Sequence, residues 1–196
     1  MRVTSEFVQQ IMEKEVTAMN ILCKKFQDSR REFKSVRSLV GASLFLALDI
    51  VLVFVRLDIS PSLQIGFSFV AVALMAMMYG PVVAGLGAGL GDIIKFALKP
   101  AGPYFFGFTL NAILGGVIYG IFLYKNKEKL LNIAAAKTSV NILINLVLNT
   151  YWLSILYGKA FTVMLIPRVA KNILALPIEI FILYTFIKIV NRTRKV

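Results

Sequence analysis

Residues 65–99 read IGFSFVAVALMAMMYGPVVAGLGAGLGDIIKFALK, and this stretch decides the class of fold. Two apolar runs meet at Gly80-Pro81, a pair typical of a tight turn in which proline starts the next helix. A membrane-spanning helix needs about 20 mainly apolar residues, and long runs without alternation favour helices over strands. The stretch therefore predicts one membrane helix at 65–79 and another at 81–98.

The same pattern continues outward in both directions, since the chain of 196 residues is 58% hydrophobic. Further apolar runs predict membrane helices at 38–56, 104–124, 135–157 and 168–190. Inside a bilayer, backbone N–H and C=O groups must form hydrogen bonds with each other, so these runs are expected to form a helix bundle. We therefore predict an all-α integral membrane protein, with six transmembrane helices in one membrane domain over residues 37–196. The connecting loops are expected at 57–64, 99–103, 125–129 and 158–167.

Residues 1–36 form a separate segment with its own pattern. Its apolar residues recur at helical spacing: Val8, Met12, Val16, Met19, Leu22 and Phe26. Lysines and arginines flank this stripe. The segment is predicted to be a cytoplasmic amphipathic helix that lies on membrane lipid. A helix that binds a partner protein is the alternative.

The distribution of Lys and Arg predicts the orientation. The net charge is +12, with eight Lys and Arg before the first membrane helix, four at 125–137 and four from Lys188 onward. With six crossings, these three segments lie on one side of the membrane, which the positive-inside rule assigns to the cytoplasm. Both termini are then cytoplasmic. The basic excess is interpreted as orientation charge, so no nucleic-acid partner is expected.

The chain lacks the residues that several kinds of enzyme need. It has no histidine and only one cysteine, Cys23, so an imidazole base, a His-ligated metal and an internal disulfide are excluded. No G-x-x-x-x-G-K-[ST] phosphate loop occurs in the sequence. The glycines of the third helix predict close helix packing: Gly85, Gly87, Gly89 and Gly91. No catalytic residue, cofactor or metal is predicted.

Polar residues interrupt the apolar runs, and they predict a binding site. A charge at bilayer depth costs about 2.5–3.5 kcal/mol on insertion scales, so such residues usually face a cavity. Near the outer ends of the helices they suggest a polar, aromatic-lined cavity that opens outward. The candidate ligand-binding residues are Asp92, Lys95, Tyr104, Phe105, Asn149, Trp152, Arg168, Lys171 and Asn172.

Several of these polar residues also fit structural roles. Asp92 and Lys95 are one turn apart, so they either pair with each other or meet a ligand donor pair and a ligand anion. Arg168 and Lys171 either anchor the helix at the outer interface or bind an anion. Deeper acids, Asp49 and Glu179, are either buried structural groups or ligand contacts.

The fifth helix carries Asn141, Asn145 and Asn149 at a spacing of four residues, which places them on one stripe. Interhelical hydrogen bonding accounts for Asn141 and Asn145. Asn149, together with Trp152 three residues later, fits a pocket wall that combines an amide with a stacking surface.

Ser43 and Ala47 form a pair of small residues one turn apart on the first membrane helix. They predict either packing within the bundle or a face on which another membrane protein docks.

Residues 87–95 (GAGLGDIIK), 103–109 (PYFFGFT) and 115–120 (GGVIYG) resemble helices 3 and 4 of the S-components of energy-coupling factor (ECF) vitamin transporters. Residues 168–172 (RVAKN), with Leu176-Pro177, resemble helix 6 of the folate-specific members. The resemblance covers residues 36–190.

This resemblance implies a high-affinity substrate-binding component in the bacterial plasma membrane, with folate as the ligand taken from outside. Its implied partners are a coupling subunit and two ATPase subunits, which supply the energy. The resemblance also implies docking through an AxxxA motif, which reads Ser43-x-x-x-Ala47 here. An S-component for another vitamin, such as pantothenate or biotin, is the alternative.

The chemistry of folate fits the candidate residues. Its flat pterin ring offers adjacent N–H donors, which suit the Asp92 carboxylate and an aromatic wall at Phe105 or Trp152. The two carboxylates of its glutamate tail suit lysine and arginine. A membrane enzyme and a purely structural scaffold fit less well, because the chain lacks a nucleophile with a base and because its polar residues converge on one cavity.

Overall fold

The computed structural model describes residues 2–55, 57–60, 63–100, 102–126, 129–158 and 160–194. Seven α-helices are present in these ranges: α1 (Arg2–Phe33), α2 (Val36–Leu52), α3 (Ser68–Leu98), α4 (Phe106–Leu123), α5 (Leu130–Ser139), α6 (Asn149–Tyr157) and α7 (Phe161–Arg194). A π-helical segment, Val140–Leu148, joins α5 directly to α6, so that 130–157 is one continuous helical rod.

The predicted turn at Gly80-Pro81 is confirmed as a break inside α3. Gly80 has φ 84° and ψ −177°, a backbone conformation that glycine adopts without strain from a Cβ. The break divides α3 into halves at 68–79 and 81–98. These halves correspond to the second and third predicted membrane helices.

By length and composition, four helical segments among the described residues qualify as membrane spans: Ser68–Leu98, Phe106–Leu123, Leu130–Tyr157 and Phe161–Thr193. A fifth is added if α1 and α2, which meet at a bend of 94°, count as one broken span. The protein is therefore a multi-pass helical membrane protein. The count differs from the predicted six because α3 is counted once and α2 is short.

The predicted loop at 57–64 is wrong, because strands β1 (Leu57–Ser60) and β2 (Leu63–Ile65) form an antiparallel hairpin there. Leu57 pairs with Ile65, and an irregularity follows Asp58. The alternation of apolar and polar residues in both short runs is the strand signal that the loop prediction passed over.

Two helix starts were predicted too late. The fifth helical rod begins at Leu130 instead of residue 135, and α7 begins at Phe161 instead of residue 168. Pro167 lies inside α7, where it was expected to end a loop. Membrane helices tolerate such prolines because neighbouring groups satisfy the freed backbone positions. The polar residues of α7 therefore lie about two turns deeper in the helix than predicted.

Small residues let α3 and α4 pack closely at the centre of the bundle. Ala73, Ala76 and Ala84 are completely buried. A Cβ added to Gly116 would lie 2.5 Å from the Ala84 carbonyl oxygen, and one added to Gly85 would lie 2.9 Å from Val117. The predicted packing role of the helix 3 glycines is thus confirmed.

The predicted N-terminal helix is confirmed as α1. It lies against the turn at Gly80 and the end of α4, with Ser29 completely buried there.

Candidate functional site

A cavity of about 450 Å³ lies between α3, α4, the rod at 130–157 and α7. Its volume is in the range of small-molecule sites, about 300–1,000 Å³. Eight of the nine predicted ligand-binding residues line it: Asp92, Lys95, Tyr104, Phe105, Asn149, Arg168, Lys171 and Asn172. The structure therefore brings residues from four separate helical segments to one site.

Lys95 forms an ion pair with Asp49 of α2, with its Nζ 2.8 Å from Oδ2 and 3.1 Å from Oδ1. The side chain of Asp49 is completely buried. Gly91 makes room for it, since a Cβ there would lie 2.7 Å from Asp49 Oδ2. The alternative in which Lys95 pairs with Asp92 is replaced by this pair, and Asp49 is a buried structural acid.

Asp92 is held by a short chain of hydroxyl groups. Thr109 donates to Asp92 Oδ2 at 2.8 Å, and the Tyr104 hydroxyl lies 2.9 Å from Thr109 Oγ1. Because a threonine hydroxyl has one proton, Thr109 accepts from Tyr104 when it donates to Asp92. Tyr104 also packs edge-on against Phe96, with ring centroids 5.1 Å apart. The carboxylate is thus oriented at the cavity wall.

Phe105 presents an aromatic surface to the cavity, and Trp152 lies behind it. Their ring centroids are 5.5 Å apart, and Trp152 Nε1 donates to Asn111 Oδ1 at 3.2 Å. Trp152 is not among the described residues that line the cavity, so its predicted place in the wall is corrected to a supporting position. Gly107 permits this stack, since a Cβ there would lie 2.7 Å from Trp152.

A chain of polar contacts runs from Arg168 towards the inner end of the cavity. Arg168 Nη1 donates to the Asn145 carbonyl oxygen at 3.3 Å, and Asn145 donates to Asn141 Oδ1 at 2.7 Å. Asn141 in turn donates to Glu179 Oε2 at 3.4 Å. Interhelical hydrogen bonding by Asn141 is thus confirmed. Its host segment is π-helical, a form that occurs frequently at functional sites.

Arg168 and Asn172 are each only 7% exposed, and Lys171 is half-buried. The prediction that these three residues occupy the first turn of their helix is wrong, because α7 starts at Phe161. The alternative role for Arg168, an anchor at the outer interface, is also wrong. The Arg168 side chain is buried and forms part of the cavity wall.

Lys137 was predicted as a cytoplasmic orientation charge, and this is wrong. Its side chain is 3% exposed and lies 3.2 Å from Glu179 Oε2. Its Nζ also lies 3.6 Å from the centroid of the Phe69 ring. Because α5 starts at Leu130, Lys137 lies two turns inside the helix and lines the cavity. The sequence did hold a sign of this burial, because Lys137 directly follows the apolar stretch Ala134–136.

Sequence reasoning also missed Thr109 and Asn111 as parts of the site. Both are polar, both are nearly buried on α4, and they contact Asp92 and Trp152 respectively. Their signal was the same as that of the predicted residues, a polar side chain inside an apolar run. Arg56, at the end of the first predicted membrane helix, and Lys159, in the predicted loop at 158–167, lie outside the described residues.

The charge of the cavity wall is positive. Among the described residues that line it, five are cations, Lys95, Lys99, Lys137, Arg168 and Lys171, and two are carboxylates, Asp92 and Glu179. Low local dielectric strengthens attraction between such a wall and an anion. The arrangement suits a ligand that combines a flat ring with negative charge.

Ser43 and Ala47 lie on the exposed side of α2, so the alternative of packing within the bundle is wrong. Ser43 Oγ donates to its own helix, to the Leu39 carbonyl oxygen at 2.9 Å. Val40 and Val51 nearby are 58% and 59% exposed. Together they give α2 an apolar face with a small-residue centre.

Comparison with known proteins places these features in a family. Residues 37–187 match the family described as "ECF transporter, substrate-specific component". The chain is 36% identical over 159 residues to the folate transporter FolT of Clostridium novyi strain NT, covering 81% of this chain and 92% of that protein. It is 32% identical over 168 residues to FolT of Leuconostoc mesenteroides, covering 81% and 90%.

A solved structure, FolT bound with folic acid, aligns with a TM-score of 0.72 at 33% sequence identity. The alignment covers 76% of this chain and 92% of that one. A family match over most of the chain, with relatives of this similarity, agrees with the helical bundle and its central cavity. The chain therefore belongs to the family of substrate-specific components of ECF transporters.

Proposed function

We propose that this chain binds folate from outside the cell and delivers it to a separate ATP-driven module. The observation that carries the proposal is the composition of the cavity wall. Cations outnumber carboxylates there, and they share the wall with an aromatic surface and one oriented carboxylate. Relatives named folate transporters and the likeness to a folic acid complex support the same ligand.

The two ends of folate suit different parts of the wall. The pterin ring carries adjacent N–H donors, which fit Asp92, and a flat face, which fits Phe105. The glutamate tail carries two carboxylates, which fit Arg168 and Lys171. Lys95 attracts an anionic ligand group less strongly, because its charge is already neutralised by Asp49.

Six membrane crossings are part of the proposal: α2, the two halves of α3, α4, the rod at 130–157, and α7. An even number puts both termini on one side. Even without Lys137, the basic N-terminal segment, the loop at 125–129 and the C-terminal end favour the cytoplasm for that side. A bacterial plasma membrane is proposed, because the relatives named folate transporters come from bacteria.

The energy is proposed to come from partners, a coupling subunit and two ATPase subunits. The absence of a phosphate loop in the sequence supports this division of labour. The exposed pair Ser43 and Ala47 is proposed as the docking contact, because small residues allow two membrane helices to approach closely.

Mass spectrometry of the ligand that co-purifies with the full chain in detergent tests the choice of vitamin. A folate is expected. Pantothenate or biotin in its place would contradict the folate assignment and would leave the S-component family unaffected.

A further inference from the structure

The N-terminal helix α1 is not covered by the family match, which begins at residue 37. It meets α2 at a bend of 94°. Since α2 is proposed to cross the bilayer, a helix at nearly a right angle to it runs close to the membrane plane. This geometry raises the question of what α1 contacts on the side away from the bundle.

One face of α1 is fixed to the bundle by polar contacts. Ser29 Oγ donates to the Tyr79 carbonyl oxygen at 2.8 Å and accepts from the Val82 N–H at 3.0 Å. Lys25 Nζ donates to the Ile121 carbonyl oxygen at 2.7 Å. These bonds attach α1 to the Gly80 turn and to the end of α4.

An ion pair extends this attachment. Lys125 Nζ lies 2.8 Å from Asp28 Oδ2, and this contact lowers the pKa of Asp28 and raises that of Lys125. The pair lies beyond the membrane end of α4. Because the attachment is polar and specific, α1 holds one orientation relative to the bundle.

A different side of α1 exposes an apolar stripe. Met12, Val16 and Met19 are 58%, 51% and 61% exposed, and they recur at helical spacing. The exposed charged side chains at 12–34 are divided along the helix. Glu13, Lys14 and Glu15 lie beside the stripe, and the other exposed cations lie more than one turn beyond Met19: Lys24, Arg30, Arg31 and Lys34. A helix that combines an exposed apolar stripe with several exposed basic residues is typical of a membrane interface.

We infer that α1 is an interfacial anchor that binds the anionic lipids of the leaflet on the basic side of the protein. The stripe of Met12, Val16 and Met19 enters the boundary of the acyl chains, and the exposed cations meet lipid phosphates. Each Lys or Arg near an anionic leaflet adds attraction. The coupling subunit is disfavoured as the occupant, because its docking contact is proposed on α2 at Ser43 and Ala47, whereas α1 lies outside the residues that the family match covers.

The single cysteine makes a direct test possible. Cys23 is exposed, and it lies two turns from Val16 on the same face. The full chain is labelled there with the environment-sensitive fluorophore NBD. It is then placed in nanodiscs of phosphatidylcholine alone or of phosphatidylcholine mixed with phosphatidylglycerol. A blue shift of the emission and slower reduction by dithionite are expected in the anionic nanodiscs.

Two matched variants introduce the same charge at neighbouring exposed positions. Val16→Asp should abolish the blue shift, whereas Thr17→Asp, turned about 100° away on the helix, should retain it. Equal emission in neutral and anionic nanodiscs, or equal effects of the two variants, would overturn the inference. A shift that appears only when the coupling subunit is added would assign the stripe to that protein instead.

Discussion

At the level of single residues, the chemistry of the cavity depends on which charges are already paired. Lys95 is neutralised by Asp49, and Lys137 by Glu179. Arg168 donates to the Asn145 carbonyl oxygen, a neutral acceptor. The α7 wall of the cavity carries the cations Arg168 and Lys171 and the carboxylate Glu179, and an anionic ligand group is proposed to bind there.

Lys171→Ala should weaken folate more than a pterin that lacks the glutamate tail. The reason is that the lysine is proposed to meet a tail carboxylate, while the ring is held elsewhere. Loss of a charge-assisted bond costs roughly 1.5–3 kcal/mol, or about tenfold to over a hundredfold in affinity. Calorimetric titration with both ligands measures the difference, and equal losses for the two would show that Lys171 shapes the pocket or holds the ring.

Lys95→Gln should destabilise the protein, because it leaves the Asp49 carboxylate buried without its cation. Breaking a buried ion pair from one side costs about 3–5 kcal/mol. The double variant Asp49→Asn, Lys95→Gln removes both charges and should recover most of this loss. Thermal unfolding in detergent without ligand compares the variants. A single variant as stable as the double one would mean that the pair contributes nothing.

The residue types of the site could be predicted from the sequence, but their partners could not. Asp92, Lys95 and Arg168 stand out as polar groups in apolar runs. Lys95 and Asp49 are 46 positions apart, and their contact depends on Gly91 letting α2 and α3 approach. Such a contact is set by tertiary packing and has no local pattern.

At the level of elements, the apolar runs were sufficient to predict that the chain forms helices and that it turns at Gly80. They were insufficient to predict the residues at which two of the helices begin. Pro167 suggested a loop, whereas the apolar residues from Phe161 continue the helix through it. The π-helical segment Val140–Leu148 has no periodic signature that distinguishes it from α-helix in one sequence. Because of these errors, Arg168 was predicted in the first turn of its helix and Lys137 among the cytoplasmic charges, whereas both are buried inside the bundle.

Ser29→Ala should loosen the junction between α1 and the two halves of α3. The substitution removes the donor to the Tyr79 carbonyl oxygen and the acceptor for the Val82 N–H, both at a buried position. Leaving such groups unsatisfied costs about 1–3 kcal/mol. The midpoint of thermal unfolding should fall, while Thr17→Ala at an exposed position of the same helix should leave it nearly unchanged. Equal midpoints for the two variants would argue against a role for Ser29.

At the scale of the whole molecule, two surfaces divide the work. The cavity between α3, α4, the rod at 130–157 and α7 is proposed to hold the ligand. The exposed face of α2, with Ser43 and Ala47, is proposed to meet the energising module. Because the cavity and the exposed face of α2 are formed by different residues, substitutions should be able to impair ligand binding and ligand delivery separately.

Ala47→Leu should abolish folate uptake in cells that carry the coupling and ATPase subunits, while the purified variant still binds folate. A bulky side chain would hold the partner helix away and remove the close packing that drives association in lipid. Uptake of labelled folate measures delivery, and calorimetry on the same variant controls for the fold. Normal uptake with Ala47→Leu would exclude this part of α2 as the docking face.

The most direct measurement of the central claim is calorimetric titration of the purified full chain with folate, pantothenate and biotin, without nucleotide or partner subunits. The account predicts saturable binding of one folate per chain and no measurable heat from the other two vitamins. Absence of folate binding by a folded chain, or equal binding of pantothenate or biotin, would contradict it.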